Sequence, residues 1–539
     1  MKKTRIVLIC LLVLLCMVML CSCDRGAGKT TTTTTKPQTS SRPDSTTDKW
    51  DQVDVGGVIK LQLSSLNDAE LEAGGKKYMQ GPDAPSSDKV QNLVYQRNLE
   101  AKDILGLDEV QYYYINAGWG NITAVISDTE KNGSDKPDMY CDIIYDMVRC
   151  VIDGCFYNLK LLTTDYTRTD GTIGGYFDFE AEGYLADFME GMTLSSDKMY
   201  LLGSEYFIDI IRGMMVMPVN IDMYHSKVGD IDQFYQDIID GKWTWDYLMN
   251  VSKMVYNDKT NNGNSMDDIL GLACETGGGK AASGMVYSTD ISIVKTEKRN
   301  GLYSFTYSSE NKTLYDIFQK IAQVFKSEGI ATCEEGNVSD QVAEIRQVFA
   351  EGRMVFGGCV LMGAVEAETY QSMEQQFGLV PLPKLAEFTD KKDADGNLIP
   401  YEYNTLIHNV GRCGAISLST PVPHAISAFI QYCSENSSAV INEYYNFAMK
   451  YKYTSDAGTA EMLDLIYDNI VSVREKALDD LIGAYNSDAN SLKWHSLLLG
   501  KKGGFYTENA SQIDTVYSSA IKVKQTVIGQ ILAKWDALQ

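Results

Sequence analysis

The sequence has few histidines and no C-x-x-C pair of cysteines, and both shortages limit the metal chemistry open to the protein. The four histidines lie far apart, at His225, His408, His424 and His495. None of their separations matches the spacing of zinc ligands. Of the twelve cysteines, four precede residue 24, and the other eight are dispersed without a C-x-x-C motif. We therefore expect no zinc site, and we interpret the dispersed cysteines as small buried apolar residues.

Signatures of several enzyme classes are also missing. The chain has no G-x-S-x-G elbow and no H-E-x-x-H helix. The segment Glu275–Lys280 resembles a phosphate-binding loop only superficially, because Cys274 replaces its first glycine and Ala281 follows the lysine. The abundant carboxylates still permit the acid pair of a glycoside hydrolase, but the sequence nominates no such pair.

No apolar run is long enough to span a membrane as a helix. Lys2, Lys3 and Arg5 precede fifteen apolar residues, Ile6–Leu20. A spanning helix needs roughly 20 residues, so this layout is typical of a secretory signal. Leu20-Cys21-Ser22-Cys23 resembles a bacterial lipobox, which implies a signal peptide over residues 1–22 and a lipid on Cys23. Cys21 fits less well, because Leu20 would then stand where a small residue belongs.

Residues 23–49 contain little that could be buried in a folded core. Six consecutive threonines, Thr30–Thr35, are followed by proline, serine and glutamine. Such a polar segment cannot offset the entropy lost on ordering, so we predict a flexible tether. A lipid before a polar tether indicates display on the outer face of the cell membrane.

Positive charge is scarce relative to negative charge. Lys and Arg number 48 against 72 Asp and Glu, which gives a net charge of −24. This balance disfavours nucleic acids and anionic membrane surfaces as partners, so the lipid is the expected membrane contact. About 490 residues follow the tether, too many for one compact core, and we expect two or more lobes. Exported chains can contain disulfides, for which Cys141, Cys150 and Cys155 are the nearest candidates.

Hydrophobic periodicity predicts helices and strands in alternation, and therefore an α/β fold. Helices are predicted over residues 311–329, around Val342–Phe349 and at the C-terminus. The strands predicted from short apolar runs are Gln111–Ile115, Asp142–Tyr145, Met354–Leu361 and Phe377–Pro381. Thr244 is predicted to cap a helix that begins at Trp245. Trp243, Trp245 and Tyr247 are interpreted mainly as packing residues.

Six segments, taken in order, resemble the extracellular solute-binding proteins of ABC importers, in particular their carbohydrate-binding group, which includes maltose-binding protein. The most specific is Gly241-Lys-Trp-Thr-Trp-Asp-Tyr-Leu248, which is similar to the family's helix start. The other five are Asp142–Asp146 with Gly154 and Leu159, Val216–Tyr224, Asn257–Gly271, Phe349–Phe356 and Leu379–Lys384.

The resemblance implies a two-lobe, type II periplasmic-binding-protein-like fold whose lobes are joined by crossing hinge strands. The first lobe would comprise residues 50–204 and 386–450, and the second 205–385 and 451–539. It also implies a monomer that captures a sugar or oligosaccharide by lobe closure, without chemistry, and delivers it to the permease of an ABC transporter. The alternatives left open are a peptide receptor of the same fold, a tethered glycan hydrolase and a purely structural lipoprotein.

Five residues are the candidate ligand contacts. The resemblance places Tyr145 and Asp146 at the end of a cleft-lining strand, and Glu275 and Met362 near the cleft on the second lobe. Trp119 is an aromatic residue between two glycines, which is an unusual choice for a core. Aromatic faces stack on sugars, and carboxylates accept hydrogen bonds from their hydroxyl groups. For each of the five, a structural role is the alternative.

One polar loop is a candidate calcium site. It resembles a degenerate EF-hand, in which Gly263 holds the sixth position. Met266 and Ile269 stand where the later ligands belong, which favours a plain polar turn over calcium. The candidate ligands are Asp258, Thr260, Asn262, Asn264, Asp267 and Asp268. No other cofactor is expected.

Overall fold

The computed structural model describes residues 49–50, 53–65, 74–118, 120–276, 280–287, 289, 294–299, 302–307, 312–454, 458–470, 474–485 and 513–538. The signal segment, Cys23, the tether through residue 48 and Trp119 therefore lie outside the described residues. By its internal contacts the chain from Gln52 to Gln539 is one compact unit, and both main sheets belong to it. Met1–Asp51 is a separate unit, of which residues 49–50 are described.

Strands and helices alternate along the described chain, which confirms the predicted α/β class. The strands are β1 Val58–Ser65, β2 Glu109–Asn116, β3 Met139–Ile143, β4 Met215–Asn220, β5 Leu270–Glu275, β6 Val294–Arg299, β7 Leu302–Tyr307, β8 Ile330–Cys333, β9 Met354–Phe356, β10 Val360–Leu361, β11 Phe377–Val380, β12 Phe388–Lys392, β13 Leu398–Pro400 and β14 Arg412–Ile416.

The α-helices are α1 Lys89–Ile104, α2 Ile122–Asn132, α3 Ile144–Ile152, α4 Ala186–Gly191, α5 Ile208–Arg212, α6 Ile221–Lys227, α7 Ile231–Ile239, α8 Trp245–Val255, α9 Lys280–Tyr287, α10 Lys312–Phe325, α11 Val338–Ala350, α12 Glu368–Gln371, α13 Pro423–Glu435, α14 Ser438–Ile441, α15 Thr459–Asp468, α16 Arg474–Tyr485 and α17 Ile513–Ala537. Short 3₁₀ turns cover Leu159–Leu162 and Met362–Glu366, and π-helical segments cover Lys76–Gln80 and Asn442–Tyr453.

Two sheets organise the fold. Sheet A has the order β14-β3-β1-β2, with β1 parallel to β2 and β3 and with β14 antiparallel to β3. Sheet B has the order β10-β4-β9-β5-β8, and β11 also pairs with β4. The chain thus builds three strands of sheet A, then all of sheet B, and returns to sheet A for β14. Between its described strands the chain passes twice from one sheet to the other, which is the arrangement that the predicted two-lobe fold requires. The residue boundaries of the lobes stay a prediction.

The local sequence signals for helix ends act as expected. The Thr244 hydroxyl accepts the Tyr247 amide at 3.2 Å and caps α8, while Trp243 and Trp245 are buried. The predicted helix over residues 311–329 is α10, and Gly329 beyond it has a φ of +82°. Such a left-handed conformation suits glycine and ends the segment.

Two predicted strands differ in their bounds. The strand predicted over Met354–Leu361 is divided into β9 and β10. The strand predicted over Asp142–Tyr145 ends at Ile143, so Tyr145 and Asp146 lie in the first turn of α3. The first amides of α3 find acceptors outside the helix, because Ile144 donates to the Gly411 carbonyl at 2.9 Å and Tyr145 donates to the Asn409 carbonyl at 3.0 Å. These partners lie more than 260 residues later in the sequence and give no local signal.

Candidate functional site

The two crossings between the sheets run side by side and are hydrogen-bonded to each other. Met214 and Ile407 form an antiparallel bridge. The Met215 amide donates to the Leu406 carbonyl at 2.9 Å, and the His408 amide donates to the Gly213 carbonyl at 2.9 Å. We call residues 213–215 the first crossing and residues 406–408 the second crossing, and together they form the crossing ladder. Both of these connections between the sheets therefore pass through one short two-stranded element.

The crossing ladder is tightly packed at two glycines. A Cβ atom on Gly213 would lie 2.8 Å from the Gly411 Cα atom. Real Cβ atoms do not approach backbone atoms this closely, so the absence of a side chain is what allows the two crossings to lie this near. Thr405, just before the second crossing, also pairs with Ile470, which brings a third segment beside the ladder.

Four charged side chains from distant parts of the chain meet beside the ladder, and we call them the ion network: Asp209, Arg212, Glu366 and Arg412. Arg212 donates through Nη1 to Asp209 Oδ1 at 2.6 Å and through Nε to Glu366 Oε1 at 2.9 Å. Arg412 donates through Nη1 to Asp209 Oδ2 at 3.4 Å. Burial opposes the charge of Arg212, but Asp209 and Glu366 outweigh it and raise its pKa above the ordinary range.

Two tyrosines complete the environment of Glu366. Tyr444 donates to Glu366 Oε1 at 2.7 Å, and Tyr78 donates to Glu366 Oε2 at 3.1 Å. The Tyr78 and Tyr444 rings meet edge to face, with centroids 5.3 Å apart, and the Arg212 guanidinium lies 5.0 Å from the Tyr78 ring. Both oxygens of Glu366 are thus bonded, which fixes the side chain in one position.

Asp142, in sheet A, is a buried carboxylate with a strongly perturbed pKa. Burial raises the pKa of Asp142 to about 7, although Arg412 and the Ile143 amide lower it. Asp142 pairs with Cys413 in the register of β3 and β14, next to Arg412. Desolvation exceeds the attraction of the neighbouring cation here, so the carboxyl is partly protonated near neutral pH.

Two of the predicted ligand contacts lie directly against the crossings. Tyr145 donates its amide to the carbonyl of Asn409, the residue after the second crossing, and its side chain is half-buried. Met362 donates its amide to the Met214 carbonyl at 2.8 Å, and its side chain is fully buried. Tyr145 belongs to helix α3 beside sheet A, whereas Met362 follows β10 of sheet B, so the two residues reach the crossings from different sheets. Their role as ligand contacts stays a prediction.

Asp146 and Glu275 have local structural partners. Asp146 Oδ1 accepts the Thr123 hydroxyl at 2.7 Å, which ties α3 to the start of α2. Glu275 Oε1 accepts the Ala281 amide at 3.0 Å in the first turn of α9. Burial raises the pKa of both carboxyls, and these hydrogen bonds lower it. Each residue therefore stabilises a helix start, whatever else it binds; contact with a ligand stays a prediction for both.

Glu275 also lines a cavity of about 30 Å³, together with Arg346, Cys359 and Tyr370. That volume is near the minimum for one water molecule, whereas small-molecule pockets measure roughly 300–1,000 Å³. A sugar does not fit this cavity in the described conformation. The residues that line it belong to sheet B and its neighbouring segments, so the cavity does not lie between the two sheets.

Sheet A presents exposed aromatic and polar groups at its carboxyl edge. Tyr114 is 38% exposed near the end of β2, and Asn116 is exposed at its last position. The Lys76 ammonium lies 5.6 Å from the Tyr114 ring centroid. In sheets with parallel strands, ligands bind outside the carboxyl ends, and the segment that contains Trp119 follows this strand.

The candidate calcium loop uses its first carboxylate as a turn cap. Asp258 Oδ1 accepts the Thr260, Asn261 and Asn262 amides, and Oδ2 accepts the Gly263 amide at 3.0 Å. Asp268 likewise accepts the Lys259 and Ser265 amides. Across the described residues, no group of three or more histidine, cysteine or acidic side chains is placed to hold a metal ion. The plain polar turn stays the favoured prediction for this loop, and calcium binding stays the alternative.

Sequence reasoning missed the ion network. Asp209 and Arg212 are the charged residues within the apolar run Tyr206–Val219, three positions apart on one helical turn. Charges in such a run are costly to bury unless they are paired, so these two residues could have indicated a buried ion pair. Their partners Glu366 and Arg412 are 154 and 203 residues away, beyond the reach of pattern analysis.

No protein-family model matches the chain, and no curated protein matches it. Among solved structures, the chain is similar to the GacH receptor of Streptomyces glaucescens, at a TM-score of 0.49 and 12% identity over 89% of this chain and 99% of that one. It is equally similar to the galacto-N-biose-/lacto-N-biose I-binding protein of an ABC transporter from Bifidobacterium longum, at 0.49 and 11% over 89% and 99%. The maltose/maltodextrin-binding domain MalE from Bdellovibrio bacteriovorus gives 0.47 and 11% over 88% and 99%.

Within the part of the chain that the structure describes, no helix has both the length and the apolar character needed to cross a bilayer.

Proposed function

We propose that this protein is an extracellular receptor that captures a neutral solute, a sugar or oligosaccharide, between sheet A and sheet B, and that it works without chemistry. The observation that carries the proposal is the crossing ladder. Because both of the connections that form it pass through one short element, small backbone changes there can rotate one sheet against the other. A solute bound between the sheets would then be enclosed by closure about the ladder.

The charge balance beside the ladder supports a neutral ligand. Both arginines of the ion network are paired with carboxylates, so the network provides polar atoms without a surplus of either charge. The exposed edge of sheet A adds Tyr114 and Asn116, and Tyr145 is half-buried beside the second crossing. Aromatic faces and amides are groups that recognise sugar rings and hydroxyls.

The direct test is calorimetric titration of the chain from Asp24 onward with monosaccharides, oligosaccharides and short peptides. We expect saturable binding of one sugar class, and recovery of that sugar unchanged by mass spectrometry. Tyr145→Ala should weaken binding roughly tenfold, the effect of one lost aromatic contact. Tyr166→Ala, at an exposed tyrosine away from the ladder, is the matched control. Cleaved sugar would favour a glycan hydrolase, and binding of peptides alone would favour a peptide receptor.

Delivery to an ABC-type permease and attachment to the outer face of the membrane are part of the same proposal. The lipobox-like sequence supports attachment through Cys23. Metabolic labelling with a clickable fatty acid should mark the parent chain and Cys21→Ser, but not Cys23→Ser. Equal labelling of all three would contradict anchoring at Cys23.

A further inference from the structure

Two adjacent acidic residues of α16 are buried and bond to different parts of the molecule. Asp479 and Asp480 are each 1% exposed. Asp480 Oδ2 accepts a hydrogen bond from the side-chain Nδ2 of Asn409 at 2.8 Å. Asp479 accepts the Tyr287 hydroxyl at 3.2 Å and forms a fully buried ion pair with Lys524 of α17. We call these two aspartates the clasp.

The partners of the clasp belong to both sheets. Helix α16 packs on α3 and α4, which flank sheet A. Tyr287 is the last residue of α9, which packs on β5 of sheet B. Asn409 follows the second crossing, and its carbonyl accepts the Tyr145 amide of α3. One turn of α16 is thereby connected to sheet A by packing, to sheet B through Tyr287 and to the crossing through Asn409.

Further contacts nearby also join the two parts. The Tyr303 amide of β7 donates to the Leu194 carbonyl, just after α4, at 3.2 Å. In α17, Gln525 donates to the Phe305 carbonyl at 2.9 Å, and ten residues later Trp535 donates to the Ser195 hydroxyl at 3.0 Å. Helix α17 therefore extends from the β6–β7 hairpin to the α4 region, and its Lys524 binds Asp479 of the clasp between these two contacts.

We infer that the clasp sets how far the two sheets are closed before any solute binds, and that opening requires the Tyr287–Asp479 bond to break. The inference rests on the proposed function, because closure matters only if a solute binds between the sheets. Asp479 and Tyr287 act in this scheme as positioning residues. Loss of the Tyr287 hydroxyl leaves Asp479 paired with Lys524, so no buried charge is orphaned and the variant should fold.

The experiment measures distances in the ligand-free chain from Asp24 onward, so its outcome does not depend on finding the solute. The eight cysteines among the described residues are buried, so nitroxides can be attached to Glu100→Cys on α1 and Lys253→Cys on α8. Double electron–electron resonance then measures the distance between the two nitroxides, and this distance reports the separation of the two sheets. Tyr287→Phe should raise the population of long distances about tenfold, the effect of one net hydrogen bond.

The matched control is Tyr140→Phe, which removes a tyrosine–carboxylate bond to Glu130 that lies wholly on the sheet A side. It should leave the distances unchanged. Identical distributions for the parent, Tyr287→Phe and Tyr140→Phe would overturn the clasp even if sugar binding were found. A shift confined to Tyr287→Phe would support the clasp even if every sugar failed to bind.

Discussion

Arg212 Nε donates to Glu366 Oε1 at 2.9 Å, and this bond joins the residue before the first crossing to the short 3₁₀ turn that follows β10. The two residues are 154 positions apart in sequence. Both side chains are at least 85% removed from solvent, with exposures of 14% and 13%. In such surroundings an ion pair is held in one geometry, and loss of either partner leaves the other charge buried.

We therefore expect Glu366→Gln to lower the free energy of unfolding by about 2 kcal/mol, since hydrogen bonds to charged groups contribute more than neutral ones. Urea denaturation monitored by circular dichroism measures this change. Glu351→Gln is the control, because Glu351 forms a solvent-exposed pair with Arg353 and should change stability by less than about 0.5 kcal/mol. Equal effects of the two substitutions would show that the Arg212–Glu366 bond contributes no more than a surface pair.

Asp142 should contribute to the pH dependence of the free energy of unfolding. Its folded pKa, about 7, lies above the ordinary aspartate value of 3.8, so the folded state holds the proton more tightly than the unfolded chain. The contribution of Asp142 is therefore fully present below pH 4 and is lost as the pH rises through 7. Burial raises the pKa of Asp146 and Glu275 as well, which adds in the same direction.

A substitution at Asp142 distinguishes its contribution to the pH dependence of stability from the contributions of the other carboxyl groups. Asp142→Asn keeps the shape and removes the titration, so its stability should fall less between pH 5 and pH 8 than that of the parent. Glu100→Gln, at an exposed site, should keep the parental dependence. Chemical denaturation at the two pH values is the measurement. If Asp142→Asn declined as steeply as the parent, the slope would have to come from other groups.

Local signals in the sequence were enough to predict many elements of the fold. The periodicity of Leu314, Ile317 and Ile321 predicted α10, and Thr244 marked the start of α8. Such features depend on residues within one or two turns of each other, so they can be read from a single sequence. The end of β3 was misjudged because the amides of Ile144 and Tyr145 donate to the carbonyls of Gly411 and Asn409, which lie just after the second crossing.

The site was harder to predict for the same reason. The ion network and the clasp join residues that are far apart in sequence, as Asp480 and Asn409 or Asp209 and Arg412 illustrate. Which carboxylate meets which arginine depends on the order of the strands and the position of the crossings. A family resemblance predicted that Tyr145 and Met362 lie at the ligand cleft, but no sequence pattern placed them beside the crossings or identified the charges there.

The close approach of Gly213 and Gly411 should make the crossing ladder sensitive to one added methyl group. Gly213→Ala would place a Cβ atom 2.8 Å from the Gly411 Cα atom, so the two crossings must separate. We expect a loss of about 1–3 kcal/mol in unfolding free energy, the usual effect of overpacking. Gly229→Ala is the control, because no atom lies within 4 Å of its added Cβ. Unchanged stability of Gly213→Ala would mean that the two crossings can separate at this point without loss of unfolding free energy.

Substitution of Asp258 can test whether the loop that begins there binds calcium. Its carboxylate accepts four backbone amides, and these hydrogen bonds, that of Gly263 foremost, hold its pKa below the ordinary range. An anion that already caps a turn in this way needs no ion to order the loop. We expect Asp258→Ala to lower the melting temperature, and the exposed Asp267→Ala to leave it unchanged. For the parent chain, melting in millimolar calcium and in chelator should coincide. A calcium-dependent rise that disappears in Asp258→Ala would instead establish the loop as a calcium site.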